Sequence, residues 1–157
     1  MRLSDFVVRE AIITDLEAAT KEAAIGEIVR GLHHAGCFRE TDQEGVVRAI
    51  LDREGLGTTG IGRGVACPEG RHRAVDRVIG TIALSRSGVD FGSVDGEPAD
   101  ILTLLLGAPH KPGDFLLAGQ VISRHLADER FCSRLRQAWT QEQVIALLEE
   151  ADRGVEE

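Results

Sequence analysis

Apolar positions along the chain follow the helical period at both ends and run continuously in the middle. Ile25, Ile28, Val29 and Leu32 recur at helical spacing behind Thr20, whose hydroxyl suits an N-cap, so a helix with one buried face is predicted over 20–35. After Gly36, the spacing of Thr41 and Glu44 matches a capping box. Val46, Val47, Ile50 and Leu51 then supply a second stripe. The segment from Gly55 to Gly64 holds five glycines and two threonines, and it reads as a turn-rich loop. Val65 to Cys67 reads as a short strand stopped by Pro68. Val78 to Leu84 and Ile101 to Leu106 are continuous apolar runs of strand length, so both are predicted to be central strands, with a loop from Ser87 to Pro98 between them.

Helical spacing returns in the last third. Leu117, Val121, Ile122, His125 and Leu126 share one predicted face, and Phe131, Leu135 and Ala138 form a shorter one. Thr140 and Gln143 fit a capping box ahead of Val144, Ile145, Leu147 and Leu148. The acidic segment from Ala151 to Glu157 is expected to fray. Helices, a small sheet and further helices define a layered α/β domain, whose strand order the pattern leaves open. No linker or repeat divides the chain, so one domain over 1–157 is expected, with its core over about 3–150.

Composition narrows the function. The chain has 157 residues, enough for one domain with a real core. With five Phe, one Trp and no Tyr, that core must be aliphatic. Lys and Arg number 18 against 26 Asp and Glu, a formal net charge of -8, which argues against nucleic acid as a partner. No apolar run reaches the roughly 18 residues that cross a bilayer, and the N-terminus lacks a signal-peptide pattern. A cytoplasmic location without membrane insertion is therefore expected. Cys37, Cys67 and Cys132 are odd in number and widely spaced, so free core thiols are expected rather than a disulfide framework.

Most candidate chemistry in the sequence has a plainer structural reading. Gly60-Ile61-Gly62-Arg63-Gly64 could bring backbone N–H groups to a phosphate, but it follows a helix, leads into a strand and lacks a Walker Lys-Ser/Thr pair. A turn scaffold is the better reading. His33 and Cys37 lie four apart, short of the three or four converging ligands that zinc needs, so no metal and no cofactor are expected. His33, His34 and His125 read as surface or partly packed histidines. Ser85 and Ser87 lack a nucleophile elbow. Arg53-Glu54, the glycine loop and Cys67-Pro68-Glu69-Gly70-Arg71-His72 concentrate more unusual groups, with Glu69 and His72 expected at the exit of a strand, where loops display function. Arg71 and Arg73 flank His72 and could hold an anion or lower its pKa.

Arg53-Glu54, then Thr58 to Pro68, Phe91-Gly92, Asp95-Gly96 and the strand-like run Asp100 to Leu106 occur in an order and at intervals that resemble the fructose/mannitol-type IIA domain of the bacterial sugar phosphotransferase system, including its nitrogen-regulatory branch. The resemblance covers residues from about 3 to 150. It implies a mixed sheet flanked by helices and a phosphate-accepting histidine in a shallow site. In active relatives that histidine follows the motif proline, where this chain has Glu69. A second family histidine aligns with Phe115, and Arg53 matches the active-site arginine.

Two functions are compatible with this resemblance. In one, the domain is a degenerate regulator that binds a protein, either a phosphocarrier or a regulated enzyme or transporter, with Glu69 placing a permanent negative charge beside Arg53. In the other, it remains a phosphocarrier, with His72 as substitute acceptor and His110, in a proline-rich loop, as a remoter candidate. Cys67 reads as core, and Trp139 as a packing or interface residue.

Overall fold

In the computed structural model, residues 1–156 are described. Five helices and five strands follow in the order α1 (Lys21–His34), α2 (Gln43–Glu54), β1 (Gly60–Gly62), β2 (Val65–Ala66), β3 (Glu69–Arg71), β4 (Ile79–Val89), β5 (Ala99–Gly107), α3 (Pro112–Leu126), α4 (Glu129–Arg136) and α5 (Gln141–Glu156). The sheet is mixed. β5 is its centre, paired antiparallel with β4 on one side and parallel with both β2 and β3 on the other, while β1 folds back antiparallel on β2. The α/β reading and the two apolar strands agree with this architecture, but only β5 is central, since β4 pairs with a regular strand on one side alone.

Both faces of the sheet are covered, which explains why β4 and β5 read as unbroken apolar runs. One face packs Leu102, Leu104 and Leu106 against Ile25, Ile28 and Leu32 of α1 and Val46 and Ile50 of α2. The other packs Ile82, Leu84, Ile101 and Leu105 against Ala118, Val121 and Ile122 of α3, Leu135 of α4, and Val144 and Leu148 of α5. Among the described residues, no helix is long and apolar enough to cross a membrane.

Caps set several helix starts. Thr20 Oγ1 accepts from Ala23 N at 3.3 Å. Thr140 Oγ1 accepts from Gln143 N at 3.1 Å, and Gln143 Oε1 accepts from Trp139 N and Thr140 N, so the expected capping box forms. The box expected from Thr41 to Glu44 does not form. A 3-10 turn over Glu40–Asp42 precedes α2, whose N-cap is Asp42, with no side-chain cap bond.

Other expectations are corrected. Within the glycine loop, Gly60–Gly62 forms β1, because turning at Gly62, Arg63 and Gly64, all with positive φ, returns the chain to pair with β2. β4 continues through the expected loop start at Ser87 as far as Val89, past a register irregularity after Leu84. Ser85 Oγ accepts from Gly88 N at 2.9 Å there. Leu117 is 48% exposed, and Ala118 takes its place on the buried face of α3. Ala138 is buried, although it lies beyond the end of α4. From Ala151 to Glu156 the segment is helical instead of frayed, and Glu157 lies outside the described residues. Asp152 is buried there and accepts from Leu3 N at 2.7 Å and Ser4 N at 3.0 Å.

Candidate functional site

β2 and β3 are successive stretches on the same side of β5, both parallel to it and separated by Cys67 and Pro68, with β3 at the sheet edge. Side chains along an extended chain alternate between faces. Val65, Cys67, Glu69 and Arg71 therefore lie on the α3 side, while Ala66, Gly70 and His72 lie on the α1 and α2 side. The contacts agree, since a Cβ built on Gly70 would meet Ile50 of α2 and one built on Gly45 of α2 would meet His72 Nε2 at 2.9 Å. Arg71 instead places its guanidinium 5.9 Å from the centre of the Phe115 ring on α3.

Glu69 thus stands at a cleft of about 490 Å³ between the sheet edge and α3, lined by Cys67, Thr103, Leu105, Phe115, Leu116, Gly119, Gln120, Ile122 and Ser123. Phe115 reaches this position because Gly107 has no side chain; a Cβ there would overlap the ring. From the last turn of α2, Arg53 reaches over the edge. Its Nε donates to Glu69 Oε1 at 3.3 Å and its Nη1 to Gly57 O at 3.1 Å. Burial pushes the Cys67 thiol up from its ordinary pKa, opposed by the neighbouring Thr103 hydroxyl, so the thiol is neutral near pH 7. Glu69 is the one charged group that lines the cleft.

The neighbour of Arg53 anchors the support. Glu54 is buried, accepts from Thr59 N at 3.0 Å and from the Thr59 hydroxyl, and pairs with Lys21 Nζ at 2.9 Å. Lys21 also lies 4.8 Å from the centre of the Phe91 ring. This network ties the end of α2, the start of α1 and the loop before β1 together behind Arg53.

A family model described as "Phosphoenolpyruvate-dependent sugar phosphotransferase system, EIIA 2" matches residues 5–151. The chain belongs to this family. Among relatives of this EIIA domain, a nitrogen regulatory protein from Bradyrhizobium diazoefficiens is 32% identical over 148 residues, spanning 94% of this chain and 95% of that protein. The crystal structure of the nitrogen regulatory protein IIA-Ntr from Neisseria meningitidis superposes with a TM-score of 0.82 at 27% identity, covering 93% of this chain and 98% of that one. The mannitol IIA of Escherichia coli, solved in complex with its phosphorylated IIB, gives a TM-score of 0.73 at 26% identity over 90% of this chain and 95% of that one.

The EIIA fold brings together Arg53, Glu69, Cys67 and Phe115, and it separates them from the histidines. His72 Nδ1 accepts from Ala74 N at 3.0 Å on the opposite face of the sheet. Glu69 lies within β3, not in the exit loop expected for it, which is why a neighbour three residues on points away. His110 is exposed in the turn between β5 and α3. His33 Nδ1 donates to Phe38 O at 2.9 Å, His34 is exposed, and His125 is partly packed with its Nε2 buried. Among the described residues, no group of three His, Cys, Asp or Glu side chains could hold a metal. The Gly60–Gly64 turn presents no phosphate cradle, since Arg63 N donates to Asp95 Oδ2 at 3.0 Å. Trp139 is 66% exposed beneath the Arg86 guanidinium, 4.0 Å from the ring centre. The sequence reading passed over Thr103, Gln120 and Ser123 in the cleft; a lone threonine inside the run Ile101 to Leu106 was the available signal.

Proposed function

We propose that this EIIA domain is a cytosolic regulatory module that binds a partner protein through the Arg53 and Glu69 surface and does not carry a phosphoryl group on histidine. The supporting observation is the ion pair between Glu69 and Arg53 at the mouth of a cleft with no histidine in its lining. At the position that the family resemblance assigns to the phosphoacceptor, a carboxylate would form only a mixed anhydride with phosphate, a poor product in a site built for transfer between nitrogens. Paired with Arg53, the same carboxylate supplies a standing negative charge, a partial stand-in for phosphohistidine. The mannitol relative's complex with a phosphorylated IIB, together with the nitrogen regulatory relatives, supports a protein as the partner class.

Acceptance by His72 fits the geometry poorly. Its Nδ1 lone pair is taken by the Ala74 N–H and its Nε2 abuts Gly45, so a phosphoryl group would have to displace α2. The test is incubation with a phosphorylated histidine carrier protein, followed by intact-mass spectrometry under conditions that preserve acid-labile phosphohistidine. The expected result is no gain beside an active EIIA control. A gain of about 80 Da, one phosphoryl group, overturns the reading, and peptide mapping then names the acceptor.

A further inference from the structure

We propose that the cleft beside Glu69 binds a free α-amino acid with a long apolar side chain, its ammonium on Glu69 and its carboxylate on Arg71. This goes beyond the protein-binding reading and stands or falls without it, because it requires no partner protein.

The cleft has the size and lining of a small-molecule site. Its volume of about 490 Å³ lies in the range of such sites, and Leu105, Phe115, Leu116 and Ile122 make apolar walls. The charges at its rim are arranged for a ligand that carries both signs. Glu69 Oε1 is taken by Arg53, while Oε2 has no hydrogen bond among the described residues and is left for a donor. Arg71 lies two residues along β3 on the same face, roughly 7 Å away by strand rise. Its guanidinium sits over the Phe115 ring that walls the cleft and forms no ion pair among the described residues.

A simple amine would meet Glu69 but also two guanidinium groups, and a simple carboxylate would meet Arg71 but also Glu69. An α-amino acid has its ammonium and carboxylate on one carbon, so it can bridge the two side chains while its side chain enters the cleft. The floor adds a second, independent sign. Thr103 is 3% exposed and its Oγ1, beside the Cys67 thiol, has no hydrogen bond of normal geometry, so a weak acceptor on the ligand, such as a thioether, would give it a better partner. With the Cys67 thiol neutral, the floor carries no charge to oppose an apolar side chain.

L-methionine is the probe, titrated into the full chain and followed by amide proton–nitrogen NMR. Saturable shifts are expected at Cys67, Glu69, Thr103 and Gly119. Two analogues each lack one charge: 4-(methylthio)butanoate has no ammonium, and 3-(methylthio)propylamine has no carboxylate. Each is expected to bind at least about tenfold more weakly, as are the Glu69→Gln and Arg71→Gln variants, since each change removes one charge-assisted hydrogen bond. Absence of shifts at millimolar L-methionine overturns the proposal. So does equal binding by either analogue, a comparison that uses the unaltered protein and holds even if a variant fails to fold.

Discussion

Glu54 is the side chain on which the Arg53 side of the cleft depends. It is 6% exposed, and its negative charge is matched by Lys21. Replacing it by Gln keeps an oxygen for Thr59 but leaves the Lys21 ammonium partly buried without a counter-charge. Breaking a buried pair costs about 3–5 kcal/mol. Because Lys21 keeps a 20% exposed side chain, about 2 kcal/mol is expected for Glu54→Gln, read as a lower urea midpoint. Gly107→Ala should act on the opposite wall. The new methyl group overlaps the Phe115 ring and is expected to cost about 1–3 kcal/mol, with the Phe115 resonances shifted in the NMR spectrum. At this scale Arg53 and Glu69 were marked through the family resemblance, whereas the placement of His72 was illegible. Four residues read as a loop can all face one site, whereas the same four in a strand alternate, and only the pairing of Glu69, Gly70 and Arg71 with Leu105, Leu106 and Gly107 establishes the strand.

Helix faces were legible where spacing alone decides them, as in α1, and less so where a neighbouring element chooses the rotation. In α3 the cleft leaves Leu116 and Leu117 exposed, and the helix turns Ala118 toward the sheet. The tail of α5 was misread because acidic composition signals solvent, yet Asp152 is recruited by the free N–H groups of Leu3 and Ser4 at the start of a 3-10 turn. Asp152→Asn should therefore cost about 1–2 kcal/mol and speed hydrogen exchange at the Leu3 and Ser4 amides, since a charge-assisted bond is replaced by a neutral one. α3 also carries a pH-dependent term. Burial, aided by Arg124, lowers the pKa of His125 against the pull of Asp152 and Asp128. Below the ordinary histidine value of about 6.5, the unfolded chain thus binds the proton more readily than the fold. Stability contributed by neutral His125 is full above that value and is lost as pH falls toward the lowered pKa. Urea midpoints measured between about pH 5 and pH 8 should decline on the acid side, and less steeply in His125→Gln.

For the molecule as a whole, a layered α/β domain followed from the order of elements and the mixed sheet flanked by helices from the family resemblance, but the strand order followed from neither. β2 was legible as a short strand ending at Pro68, but β3 is too short for pattern to distinguish it from a turn, and it is a strand only because β5 offers it a parallel partner. The first twenty residues were equally opaque. They contain no regular strand, yet they run along the outer side of β4, bridging it at Gly80 and Ala83 and pairing with Asp90 just beyond its end. Val8 N donates to Gly80 O at 2.8 Å, Leu84 N to Ile13 O at 2.8 Å and Asp90 N to Ala19 O at 3.0 Å. This strap conceals what would otherwise be an open edge eleven residues long, buried along its whole first half from Ile79 to Leu84. Unpaired edges of that length template the addition of further chains. The strap is therefore also a guard against self-assembly. Removing residues 1–15 should turn a protein whose sheet ends at its own chain into one whose sheet can be extended by the next molecule, visible as growing light scattering and thioflavin fluorescence on mild warming.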